Sequence, residues 1–118
     1  MKVAVTGATG FIGRALCNEL AKEHHVMALT RNPEKASAIF DKSVDIIKWD
    51  ANALNGWEKC LEKTDTIVNL AGTNLASGRW TQSLKAEILN SRINSSRILL
   101  QAIKNSQAKP KTFIMALI

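Results

Sequence analysis

Lys2-Val3-Ala4-Val5-Thr6 runs directly into Gly7-Ala8-Thr9-Gly10-Phe11-Ile12-Gly13, and the reading of this junction decides the fold. A short apolar strand, a glycine-spaced turn and an amphipathic helix in that order make a phosphate cradle, because each glycine admits backbone or ligand where a Cβ would clash. Gly7 allows the tight turn off the strand. Gly10 lets the main chain approach a pyrophosphate, whose charge is favoured by free N–H groups and by the positive end of the helix dipole. Gly13 lets the helix pack close to the strand. Glycines in a turn are a weak signal alone, and their position directly after Val3-Ala4-Val5 is what strengthens it. The predicted helix runs from Phe11 to Glu23. At about 100° per residue, Phe11, Ile12, Ala15, Leu16 and Leu20 share its packed half.

Composition bounds what can be built around that junction. With 118 residues, 46% of them hydrophobic and 22% charged, the chain is read as one domain, residues 1–118, with no linker or low-complexity run dividing it. No apolar run approaches the roughly 18 residues of a membrane span, and no signal-peptide pattern opens the chain, so a cytoplasmic location is expected. Cys17 and Cys60 lack metal or redox spacing and read as reduced helix residues. The net charge of +6 comes from sixteen Lys and Arg residues that never form a basic run, and the three Trp and three Phe are not interleaved with them. That argues against nucleic acid and fits an anionic small molecule as well. His24-His25 has no other His or Cys near it in sequence and reads as solvated loop rather than metal site.

Strand-like and helix-like segments alternate along the chain. Strands are predicted at Val26–Thr30, Val44–Trp49, Thr66–Leu70 and Thr112–Leu117, and helices at Pro33–Phe40, Leu54–Glu62 and Thr81–Ser106. Ile67-Val68-Asn69-Leu70-Ala71 lacks polar alternation, as a strand covered on both faces does. The expected class is α/β, a Rossmann-like parallel sheet flanked by helices with right-handed crossovers and strand order 3-2-1-4-5, ending after strand five. Ligands should gather at the carboxyl ends of the strands near the switch point between strands one and four.

Cofactor specificity is decided at the end of the second strand, Leu29-Thr30-Arg31-Asn32-Pro33. It holds no carboxylate for a ribose 2′-hydroxyl, whereas Arg31 offers a planar fork suited to a 2′-phosphate, with Thr30 and Asn32 adding hydrogen bonds. NADP is favoured over NAD; the bland alternative is that Arg31 is a solvated loop charge. Asp50 either accepts a hydrogen bond from an adenine amino group or caps the turn before Leu54.

TGATGFIG at the start, Arg31, and Asn69-Leu70-Ala71-Gly72 resemble the extended and atypical short-chain dehydrogenase/reductases. Gly72-Thr73-Asn74-Leu75, Gly78-Arg79-Trp80-Thr81 and Ser91-Arg92-Ile93 are similar to the sugar-nucleotide epimerase-like family, whose members read NLAGENI, GRW and SR there. The resemblance covers essentially the whole chain. It implies NADP(H) held by the glycine loop (Gly7, Thr9, Gly10, Phe11, Ile12, Gly13), with Leu70, Ala71 and Gly72 along the ribose side. A small anionic or sugar-nucleotide substrate is the implied partner.

The long helix carries a second candidate. With Leu84 at zero, Ile88, Leu89, Ile93, Leu99, Leu100 and Ile103 fall in one half-circle, and Arg92 lies inside it at about 80°. A buried arginine needs an anionic or multiply accepting partner. Arg92 therefore either faces the cofactor or substrate cleft or bonds to carbonyls of the strand-four loop. In the resemblance it holds the place where extended members carry an active-site Asn. Arg79 and Trp80 either hold a phosphate and stack on a ring, or staple their loop to this helix. Trp49 and Trp57 read as core or rim packing.

Short-chain dehydrogenase chemistry uses a Tyr acid/base, a Lys and a polarising Ser or Thr. The sequence has no tyrosine. By the resemblance, Leu117 stands where the Ser is expected. No catalytic residue is therefore assigned, and two functions stay open: the NADP-binding portion of an epimerase, dehydratase or reductase, or a catalytically silent NADP-binding regulatory or interaction module. A sheet ending at strand five leaves apolar faces exposed, and homo-oligomerisation through them is the expectation.

Overall fold

A computed structural model describes residues 1–51, 53–70 and 82–115, with side chains of the long helix described at 86, 89, 90 and from 93 onward. The strands are β1 (Lys2–Thr6), β2 (His25–Thr30), β3 (Val44–Lys48), β4 (Thr66–Asn69) and β5 (Thr112–Met115), and the helices α1 (Phe11–Leu20), α2 (Pro33–Ile39) and α3 (Gln82–Asn105). All described pairings are parallel, and the sheet order is β3-β2-β1-β4-β5, as expected from the sequence. The predicted third helical segment, Leu54–Glu62, is instead a 3-10 turn over Trp57–Leu61. Gly56 at φ 110° and Lys63 at φ 62° bracket it, and backbone in that left-handed region cannot continue a right-handed helix.

Both faces of the central strands are buried. On one, Ala4, Met27, Leu29 and Ile67 pack against Trp49, Trp57, Leu61 and the α3 residues Ile98, Leu99 and Ala102. On the other, Val3, Val5, Val26, Ala28 and Val68 pack against Cys17, Ala36 and Phe40. Neighbouring residues of each strand serve opposite faces, which is why these strands read as continuous apolar runs. Trp49 and Trp57 meet edge to face at 5.1 Å, confirming them as core, and the Trp57 indole donates to the Ala53 carbonyl at 2.8 Å. Cys17 and Cys60 are free thiols, each pushed by burial up to about 11. His25 is the first residue of β2 rather than a loop residue, and its imidazole pairs with Asp45 of β3.

Two helix faces differ from the periodicity reading. In α1, Phe11 (94% exposed), Ile12 and Ala15 point outward, while Gly13 and Cys17 are buried and Leu16 and Leu20 pack beside them. The close approach of Gly13 to the glycine turn rotates the helix onto its small residues. In α3 the core line is Ser95, Ile98, Leu99 and Ala102, whereas Leu89, Ile93 and Leu100 are exposed. For Leu89 and Ile93 the reason is length: 24 residues of helix span about 36 Å, while the four-residue strands β4 and β5 span about 13 Å, so the helix overhangs the sheet; Leu100, between the buried Leu99 and Ala102, is on the outward side of the helix. Ile114 and Met115 of β5 are also exposed. No described helix is long and apolar enough to cross a membrane.

At the amino edge, the Asp65 carboxylate accepts from the Lys2 amide at 2.8 Å. The Glu62 carboxylate accepts from the Ala108 amide and the Ser106 hydroxyl, which holds its pKa below the usual carboxylate value. These ties leave the opposite, carboxyl edge for loops that can receive a ligand.

Candidate functional site

Four strand ends converge at the carboxyl edge. Register places Thr6 of β1 beside Leu29 of β2 and Asn69 of β4, and Thr30 of β2 beside Lys48 of β3. The glycine loop, Arg31, Asp50 and Leu70 leave this same edge, so the chain brings those sequence-predicted residues together.

Gly7 holds φ 66°, which a side chain adopts only under strain. Its carbonyl accepts from the Gly10 amide at 3.2 Å, closing a four-residue turn, and α1 then begins with Arg14 N–H donating to the Gly10 carbonyl at 2.9 Å. The Gly10 amide is therefore engaged within the turn. The free donors are the first amides of α1, at Phe11, Ile12 and Gly13, which have no intrahelical partner. No side chain caps this helix, and no acidic residue stands in its first turn. A Cβ on Gly13 would lie 2.3 Å from the Gly7 carbonyl oxygen and 2.8 Å from Ala8 Cα, so Gly13 fulfils its expected packing role. One on Gly10 would meet only the Gly7 oxygen, at 3.4 Å. Thr9 is half-buried, and Phe11 and Ile12 stand exposed at the mouth of the turn.

Arg31 is exposed just beyond β2. Its neighbours are occupied with local structure: the Asn32 carboxamide oxygen caps α2 by accepting from the Lys35 amide, and the Thr30 hydroxyl accepts from the Asn32 amide. Thr30 and Asn32 thus fix the turn that presents Arg31. Asp50 is exposed, and its carbonyl accepts from the Ala53 amide at 3.4 Å. The backbone of Arg92 lies within α3, while its side chain, together with Ala71, Gly72, Arg79, Trp80 and Leu117, lies outside the described residues.

One constellation was missed by sequence reasoning. Asn69 is 2% exposed. Its carbonyl oxygen accepts from the Thr6 hydroxyl at 2.7 Å, and its amide group donates to the Ser96 hydroxyl at 3.1 Å and the Ser95 hydroxyl at 3.4 Å. The Thr6 hydroxyl also accepts from the Leu70 amide at 3.2 Å, so this network sets where the chain leaves β4. The available signal was a carboxamide inside an apolar run, which must find buried partners. Asn69→Leu keeps the branching and the number of side-chain heavy atoms, is somewhat larger, and removes the acceptor of the Thr6 hydroxyl. It is expected to cost about 2 kcal/mol, read as a lowered denaturant midpoint.

A model of the NAD dependent epimerase/dehydratase family matches residues 3–117. Epimerase family protein YfhF of Bacillus subtilis is 38% identical over 117 residues, which are 98% of this chain and 37% of that protein. The crystal structure of human epimerase family protein SDR39U1 (isoform 2) with NADPH superposes with TM-score 0.73 at 35% identity, over 98% of this chain and 36% of that one. UDP-glucuronic acid 4-epimerase from Bacillus cereus, in complex with UDP-glucuronic acid and NAD, gives TM-score 0.74 at 28% identity, over 98% of this chain and 39% of that one. The chain spans little more than a third of the length of these relatives.

Proposed function

The chain belongs to the NAD dependent epimerase/dehydratase family, and on that premise we propose that it is the dinucleotide-holding portion of an NADP(H)-dependent, short-chain-dehydrogenase-type epimerase, dehydratase or reductase acting on a sugar-nucleotide-like substrate. The observation that carries the reading is the start of α1. An uncapped helix N-terminus, free of carboxylates in its first turn, follows a glycine at φ 66° and opens at the carboxyl edge of the central strand. A pyrophosphate fits there, because three orphan amides and the helix dipole favour its charge and Gly10 offers no side chain to hold it off.

The residues divide the work. Gly7, Gly10, Phe11, Ile12 and Gly13 seat the pyrophosphate through backbone, with Thr9 lining the turn. Arg31 takes the 2′-phosphate, Asp50 the adenine edge, and Leu70, Ala71 and Gly72 the ribose side. Arg92 is assigned to the cofactor or substrate cleft. When bound, the nicotinamide supplies hydride transfer. Tyrosine is absent from these 118 residues, so the reading assigns them cofactor binding and no proton-transfer step. The NADPH and NAD of the related structures support a nicotinamide dinucleotide, and the choice of NADP rests on Arg31 and the lack of an acidic residue at that turn.

Titration with NADPH and NADH, followed by tryptophan fluorescence, tests this. Wild type should bind NADPH more tightly, and Arg31→Ala should raise the Kd for NADPH about tenfold while leaving NADH unchanged, the loss of one charge-assisted contact. Equal wild-type affinity for both cofactors would remove the role given to Arg31.

A further inference from the structure

Lys48 stands where no motif directed attention. It ends β3, and parallel register sets it directly beside Thr30, the residue before Arg31. Adjacent strands run about 5 Å apart, so the backbone carrying Lys48 leaves the carboxyl edge beside the turn that carries Arg31. Strand alternation puts Lys48 on the face of Val44 and Ile46, the side on which α2 packs and where the Thr30 hydroxyl holds the Asn32 amide. Lys48 and Arg31 are both exposed. The ion pairs among the described residues are Lys22–Glu19 and His25–Asp45, so neither cation is paired. The carboxylates nearest in sequence are Glu34, in the first turn of α2, and Asp50.

Resting on the dinucleotide reading above, we propose that Lys48 is a second specificity-determining residue, which together with Arg31 holds the 2′-phosphate of NADP(H). A phosphomonoester carries a charge of about −1.5 to −2 at neutral pH, more than one guanidinium neutralises. Arg31 supplies a planar fork and Lys48 a mobile point charge, and the two together balance it. Two adjacent unpaired cations repel each other until an anion lies between them, so the arrangement favours the phosphorylated cofactor over one with a neutral 2′-hydroxyl. A lysine on an edge strand also blocks strand-to-strand association, and that role alone would leave cofactor affinity untouched.

The test is titration of the full chain with NADPH and with NADH for wild type, Lys48→Met and Lys48→Arg, with melting curves to show that each variant is folded. Lys48→Met keeps the aliphatic stem and removes the charge. Its Kd for NADPH should rise about tenfold, its Kd for NADH should stay within about twofold, and Lys48→Arg should restore most of the preference. An unchanged NADPH Kd, or equal weakening of both cofactors, overturns the inference while leaving the dinucleotide site standing. A wild-type chain that binds neither cofactor overturns the dinucleotide reading and this inference with it.

Discussion

Gly13→Ala is expected to lower the melting temperature by about 10 °C, a large effect for one methyl group. The added carbon would sit 2.3 Å from the Gly7 carbonyl oxygen, 2.8 Å from Ala8 Cα and 3.0 Å from the Ala8 carbonyl carbon. All three are backbone, so no flexible side chain can swing aside. Relieving the clash means lifting α1 off the turn and disturbing the seat of Cys17, which is fully buried four residues on. Overpacking of this kind costs about 3 kcal/mol. Alanine recovers about 1 kcal/mol of helix propensity over glycine, so the net loss is about 2 kcal/mol. A melting temperature equal to or above wild type would show that α1 does not press on the turn in this way.

Gly10→Ala should behave in the opposite manner, sparing the fold and abolishing tight cofactor binding. Gly10 has φ −72° and ψ 173°, a conformation any residue adopts, and its Cβ would make a 3.4 Å contact with the Gly7 oxygen. Alanine is a slightly poorer N-cap than glycine but lowers unfolded-chain entropy, and the two effects offset within about 1 kcal/mol. The methyl group would nevertheless stand at the mouth of the helix N-terminus, between the ligand and the orphan amides of Phe11 and Ile12. Pushing a pyrophosphate away from these charge-assisted contacts should raise the Kd for NADPH about a hundredfold. The pair of substitutions thus separates the glycine that builds the turn from the glycine that admits the ligand.

Much of this was legible in the sequence because parallel strands and glycine turns leave strong local marks. Strand order, the roles of Gly7 and Gly13, and the packing of both described tryptophans could be reasoned from runs and spacing. Helix faces were less legible. Hydrophobicity alone pulled the packed face of α3 toward Leu89, Ile93 and Leu100, whereas the sheet is too short to cover the first two, Leu100 is on the outward side, and the actual core line runs through Ser95 and Ala102. Small or polar residues at a close helix–sheet contact carry little apolar signal, and α1 repeats the lesson with Gly13 and Cys17 buried beneath an exposed Phe11. The Leu54–Glu62 helix failed for a different reason: two left-handed backbone positions, one at a lysine, interrupt it and leave no mark in hydrophobic periodicity. Among the candidate residues, Arg31 was singled out by its residue type, whereas the proposal for Lys48 arises only from the register that sets β3 against β2. Asn69 was in plain view within an apolar run, yet its partners lie 26 and 27 residues away on α3.

Calorimetric titration of NADPH into the wild-type chain and into Gly10→Ala at matched stability tests whether the turn from β1 into α1 seats a dinucleotide pyrophosphate. Saturable one-site binding to wild type, with a Kd about a hundredfold weaker in the variant and unchanged melting, is the predicted result. No saturable binding to wild type, or the same Kd in both proteins, would contradict it.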